Sequence, residues 1–96
     1  MWDVLRHKRC EKQLRKLDPQ VSKEILEDMK SLQEDPLQSD VADDERARKL
    51  GLRYIKVAHD WRVFFRLQGR NVLVEFLWHR KHAYDEMRRY LAAIRI

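Results

Sequence analysis

The sequence predicts an α+β fold: an N-terminal helical hairpin packed on a roughly four-stranded, mostly antiparallel sheet, with a C-terminal helix. Three observations carry that prediction. Two apolar stripes of helical period lie between residues 10 and 32, three dense β-type runs fill 52–79, and a last helical stripe follows them. The 96 residues form a single domain, 1–96, large enough to bury one modest core without disulfides or metal.

Each element has its own signal. Trp2 to Leu5 is short and apolar enough for a first strand. Cys10, Leu14 and Leu17 recur at helical spacing between charged residues. Asp18-Pro19 then supplies a cap and a proline at the first helical position. Val21, Ile25, Met29 and Leu32 make the stripe of a second helix, which Pro36 stops. Pro36 to Glu45 has no period and reads as a loop. Leu52–Val57, Trp61–Leu67 and Val72–His79 are the strands, and "QGRN" places Gly69 first in a two-residue turn of type II′. Tyr84, Met87, Leu91 and Ile94, with Tyr90 beside them, mark the closing helix.

Composition narrows the function. Twenty-one Lys and Arg against 16 Asp and Glu give a formal charge of +5. Asp35–Glu45 holds five acids and no base, whereas Arg46–Lys81 holds ten bases and only Asp60 and Glu75 as acids. A basic C-terminal half suits a polyanion such as nucleic acid, or simply a solvated surface. One cysteine, Cys10, cannot form an internal bridge and is expected as a packed thiol. No apolar run approaches the ~18–20 residues of a membrane span, and charges soon after Met1-Trp2-Asp3 leave no signal-peptide stretch. A cytoplasmic protein without membrane contact is expected. No metal-ligand pattern or Gly-rich phosphate loop is present, so no metal and no cofactor are expected.

Alternation then places the cations. A Gly69-Arg70 turn predicts the pairs Leu67–Val72, Phe65–Val74, Val63–Phe76 and Trp61–Trp78, all facing the helical hairpin. The other face receives Arg62, Phe64, Arg66, Leu73, Glu75, Leu77 and His79. A three-residue loop, Ala58-His59-Asp60, sets Lys56 opposite Arg62 and Tyr54 opposite Phe64. Like charges directly opposite cost a sheet roughly a few tenths to 1 kcal/mol. Either the two side chains lie over apolar surface with their heads in water, or the pair exists to hold a phosphate. Tyr54, Phe64, Leu73 and Leu77 leave apolar surface on that face for the last helix and for a partner's amphipathic segment.

"KLGLRYIKVAHDWRVFF" followed by "FLWHRKHAY" resembles the RelE/ParE superfamily of toxins from type II toxin–antitoxin pairs. Lys49-Leu50-Gly51, Lys56, Asp60-Trp61-Arg62, and His79-Arg80-Lys81 with Tyr84 carry the resemblance, and the order of elements agrees over nearly the whole chain. Tyr54 stands where some active members carry a second lysine. The resemblance implies a metal-free RNase that cuts mRNA in the ribosomal A site, with a cognate antitoxin as protein partner. By that resemblance Lys56, Arg62, Arg80 and Tyr84 surround the scissile phosphate, and Arg53, Tyr54, Arg66 and Lys81 are RNA-binding candidates. Relatives that bind a protein target such as DNA gyrase share the fold, so a non-nucleolytic toxin is the alternative.

Metal-free cleavage needs a deprotonated 2′-OH, stabilised phosphate oxygens and a protonated 5′ oxygen. Arg62 suits the phosphate, because a planar guanidinium holds two oxygens at once. Lys56 either clamps the same phosphate or acts as base. An arginine such as Arg80 is a poor proton donor, which makes His79 and His82 the possible acid or base. Tyr84 either stacks on a base, orients the 2′-OH, or packs as the first core contact of its helix.

Overall fold

The computed structural model describes residues 1–94. A first strand, β1 (Asp3–Arg6), leads into α1 (Lys8–Lys16). His7 caps α1, its Nδ1 accepting the Arg9 N–H at 3.0 Å. Asp18 caps α2 (Pro19–Met29) in the same way, accepting the Gln20 N–H at 2.8 Å, with Pro19 opening the helix. The second helix tightens into a 3-10 turn at Lys30–Gln33. The helical hairpin expected from periodicity is therefore present.

The next segment departs from expectation. Within the acidic stretch read as loop, Asp40–Val41 forms a short strand, β2. A six-residue helix, α3 (Glu45–Leu50), follows it. Two residues show no alternation and six show barely one helical repeat, so neither element leaves a periodic signal. Local chemistry makes α3 instead. Asp44 accepts the N–H groups of Arg46 and Ala47 at 2.8 and 3.2 Å, and Gly51 ends the helix at φ +77°, a conformation that favours glycine.

The remaining elements are β3 (Arg53–Val57), β4 (Trp61–Gln68), β5 (Asn71–His79) and α4 (Ala83–Ala93). They complete a sheet of five strands, not four, in the order β1-β5-β4-β3-β2. β1 runs parallel to β5, with Val4 beside Val72, and the other pairings are antiparallel. The β3–β4 register is the expected one: Lys56 faces Arg62, Tyr54 faces Phe64, and Ala58-His59-Asp60 is the loop. Ala58 and His59 both take positive φ, at 46° and 63°. In the β4–β5 turn Gly69 alone does so, at +60°, as a type II′ turn requires.

The β4–β5 register holds only for half its length. Leu67 faces Val72 and Phe65 faces Val74, but Phe64 faces Phe76, so Glu75 is an extra residue in a β-bulge. Beyond it Val63 meets Leu77, Arg62 meets Trp78, and Trp61 meets His79. The expected pairs Val63–Phe76 and Trp61–Trp78 do not form. Leu77 joins the hairpin-side core with Val63 and Phe65, whereas Phe76 and Trp78 join the opposite side. His79 moves to Trp61's side, away from Arg62, contrary to the alternation-based placement.

Both sheet faces are therefore core. On one, Cys10, Leu14, Ile25 and Met29 of the hairpin bury Val63, Phe65, Val72 and Val74. On the other, Ala83, Met87 and Leu91 of α4 and Ala47 of α3 bury Phe64 and Phe76. Phe64 and Leu77, expected on a face open to a partner, are fully buried.

Candidate functional site

β3 and β4 place Lys56 and Arg62 side by side at the end of the sheet nearest the Ala58-His59-Asp60 loop. Lys56 is exposed and Arg62 half-buried. Among the described residues neither makes an ion pair. Two adjacent cations without a counter-ion leave a positive field that a phosphate can neutralise. The Arg62 guanidinium carbon lies 5.4 Å from the centre of the Tyr54 ring, a cation–π distance.

α4 contributes Tyr84 from its first turn. The Tyr84 hydroxyl accepts the Asp43 N–H at 3.4 Å and neighbours the hydroxyl of Tyr54. Burial pushes the Tyr54 phenol up from its ordinary value, Tyr84 and Asp40 add to the rise, and Arg62 partly opposes it. Tyr54 therefore stays a neutral donor.

Arg80 follows β5 directly. Its N–H donates to the Asp60 carbonyl at 2.7 Å, and its Nε lies 3.3 Å from the Asp60 carboxylate. The bulge gives Arg80 the strand parity of Arg62, and Asp60 anchors it beside the hairpin loop. His79 instead meets the Trp61 ring edge-on at 5.5 Å, and its Nδ1 accepts the Lys81 N–H at 3.3 Å. His82, exposed before α4, lines with Trp61, Leu77 and His79 a recess of about 370 Å³. Lys81 is exposed between them.

Two candidate cations are engaged inside the fold. Arg53 donates to Ser39 Oγ at 2.7 Å and to the carbonyls of Leu37 and Ser39, pinning the loop before β2. Arg66 holds the Glu75 carboxylate at 2.8 Å. The sequence placed Asp60 in the β3–β4 loop but not against Arg80, and gave no sign of Asp43 or Ser39. An acid in a turn and a serine in an aperiodic loop carry no signal of what they will face. Among the described residues no three His, Cys, Asp or Glu side chains gather as metal ligands.

The sequence matches the family described as "ParE toxin of type II toxin-antitoxin system, parDE" over residues 4–84. The chain belongs to this family. It is a toxin of the RelE/ParE type. Solved structures agree on the fold. A chain of the RelBE2 toxin–antitoxin complex from Mycobacterium tuberculosis is 20% identical with a TM-score of 0.70, covering 82% of this chain and 91% of that one. The isolated E. coli RelE toxin is 16% identical with a TM-score of 0.65, covering 95% and 99%. The RelB–RelE complex from Methanococcus jannaschii gives 21% and 0.59, covering 86% and 98%. No curated protein matches the chain by sequence. The RelE/ParE match spans β1 to the first turn of α4, and so includes Lys56, Arg62, Arg80 and Tyr84. No described helix of this toxin is long and apolar enough to cross a membrane.

Proposed function

We propose that this toxin is a metal-free, ribosome-dependent endoribonuclease that cleaves mRNA in the A site and so stops translation. The observation that carries the reading is the Lys56–Arg62 pair, two opposed cations that make no ion pair among the described residues. In this mechanism the 2′ oxygen attacks the adjacent phosphorus as the bond to the 5′ oxygen breaks, leaving a 2′,3′-cyclic phosphate and a 5′-OH; the 2′-OH proton passes to water and water protonates the departing 5′ oxygen. Arg62 and Lys56 hold the non-bridging oxygens while charge accumulates there. Arg80, tethered by Asp60, faces the leaving oxygen, and Tyr84 orients the 2′-OH or stacks on a base. Arg53 and Arg66 are scaffold in this scheme, because their donors are already used. Lys81 is a free contact to the RNA backbone.

A cognate antitoxin is the expected protein partner, since the fold relatives from M. tuberculosis and M. jannaschii come from toxin–antitoxin complexes. Purified toxin should bind RNA weakly, with an affinity that falls as salt rises. One observation favours the alternative, a ParE-like toxin that binds a protein such as DNA gyrase: both imidazoles near the strand end, His79 and His82, line the recess beside Trp61. Mapping mRNA 5′ ends after brief expression separates the two. Cuts within translated frames support the nuclease, and intact mRNA with DNA damage supports the alternative. Under the fixed-charge mechanism single-turnover cleavage varies little between about pH 6 and 8. An inflection in the imidazole range that disappears in His82→Gln makes His82 the proton carrier instead.

A further inference from the structure

Arg62 stands at the end of an aromatic column. Tyr54 and Phe64, opposite each other on β3 and β4, have ring centres 5.4 Å apart. Phe64 stacks on Phe76 of β5 at 4.7 Å and 18°, and Phe76 meets Tyr90 of α4 at 4.8 Å. Phe64 and Phe76 are fully buried, so Tyr54 is backed by rings that cannot move independently. Arg62 lies diagonally across the hairpin from Tyr54, with its guanidinium 5.4 Å from that ring.

We infer that Tyr54 is a positioning residue for Arg62: its ring, fixed by the aromatic column, holds the guanidinium in place beside Lys56 for the incoming phosphate. This rests on the nuclease reading for its reaction, but the clamp itself is independent of what the toxin acts on. An unpaired arginine carries several free rotors, and its charge would otherwise be pushed off by Lys56. A ring face is a suitable restraint. It attracts the cation without consuming any of the N–H donors that must reach phosphate oxygens. A carboxylate in the same place would use those donors and cancel the charge.

The test uses Tyr54→Phe, Tyr54→Leu and Tyr54→Met in the full chain, each also combined with Arg62→Lys. The probes are the NMR shifts of the Arg62 side-chain protons and the single-turnover cleavage rate on mRNA-programmed ribosomes. A ring face moves those protons upfield, so wild type and Tyr54→Phe should share the displaced shift. Leu and Met, which fill the space without a ring, should lose it. Cleavage should stay within about twofold for Tyr54→Phe and fall about tenfold for Leu and Met, the scale of one half-buried cation–π contact. The fall should be much smaller in the Arg62→Lys background, because the ring acts through the guanidinium. Unchanged Arg62 shifts in Leu and Met overturn the inference. An equal loss in both backgrounds also overturns it, since Tyr54 would then contact RNA itself. Wild type that fails to cleave, with the ring shift present and lost on schedule, sinks the nuclease reading and leaves the clamp standing.

Discussion

The two ends of the aromatic column treat arginine in opposite ways. At the Tyr90 end, Arg9 lies 5.0 Å from the ring centre, and Arg9 and Arg66 both approach Glu75. Glu75 is 6% exposed and sits in the bulge. At the Tyr54 end, Arg62 lies over a ring in the same manner, but its cross-strand neighbour is Lys56 and no acid pairs with either among the described residues. One end resolves its charges and the other does not. A fold that can bury a carboxylate between two arginines at the Tyr90 end has a structural answer to like-charge strain, so an unanswered pair points to use.

Ways to break that contrast begin with the column. Phe64→Ala and Phe76→Ala should each cost about 3–5 kcal/mol in urea unfolding, because both rings are fully buried between the sheet and α4. A cost near 1 kcal/mol would mean that this face is not a second core. Next is the resolved end. Glu75→Ala should lose about 2 kcal/mol, below the usual figure for breaking a buried pair because both arginine heads reach water. It should also loosen the bulge, seen as loss of the NOEs between Trp61 and His79. An unchanged NOE pattern would show that the bulge does not depend on Glu75.

The contrast sharpens if the open end is given its missing acid. Lys56→Glu should stabilise the chain by up to about 1 kcal/mol, as an opposite-charge cross-strand pair replaces a like-charge one, and it should end growth arrest. Retained arrest would remove Lys56 from the site. A further prediction concerns the buried thiol. Burial pushes the Cys10 thiol up to about 11, so the fold favours the protonated form. Its contribution is full below about pH 9 and is lost as pH rises toward 11, which amounts to about 1 kcal/mol between pH 8 and 10. Tyr54 and Tyr90 shift in the same direction. Cys10→Ala should therefore reduce, not abolish, the alkaline loss measured by urea unfolding. An identical loss in the variant would contradict the assignment.

Legibility followed the number of buried faces. In β3, Ile55 and Val57 alternate with Tyr54 and Lys56, and the Lys56–Arg62 register could be derived from that alternation. In β5, residues 76–78 are Phe-Leu-Trp, apolar on both parities, so a register shifted by one residue satisfies the pattern equally well. The bulge at Glu75 was invisible for that reason, and with it the exchange of His79 for Arg80 on the Arg62 side. Short elements failed differently. β2 and α3 are held by caps and a partner strand, not by period. Of the site, the cation pair was readable; the Asp60 anchor on Arg80 and the ring beneath Arg62 required tertiary contacts.

The central claim is that the Lys56–Arg62 pair serves the toxin's action and not its fold. Arg62→Ala tests it most directly, by growth arrest on induction together with thermal melting of the purified variant. Arrest should disappear while the melting temperature stays within about 3 °C of wild type, because relief of repulsion from Lys56 offsets the lost contact with Tyr54. A variant that remains fully toxic, or one that loses toxicity only because it unfolds, would contradict it.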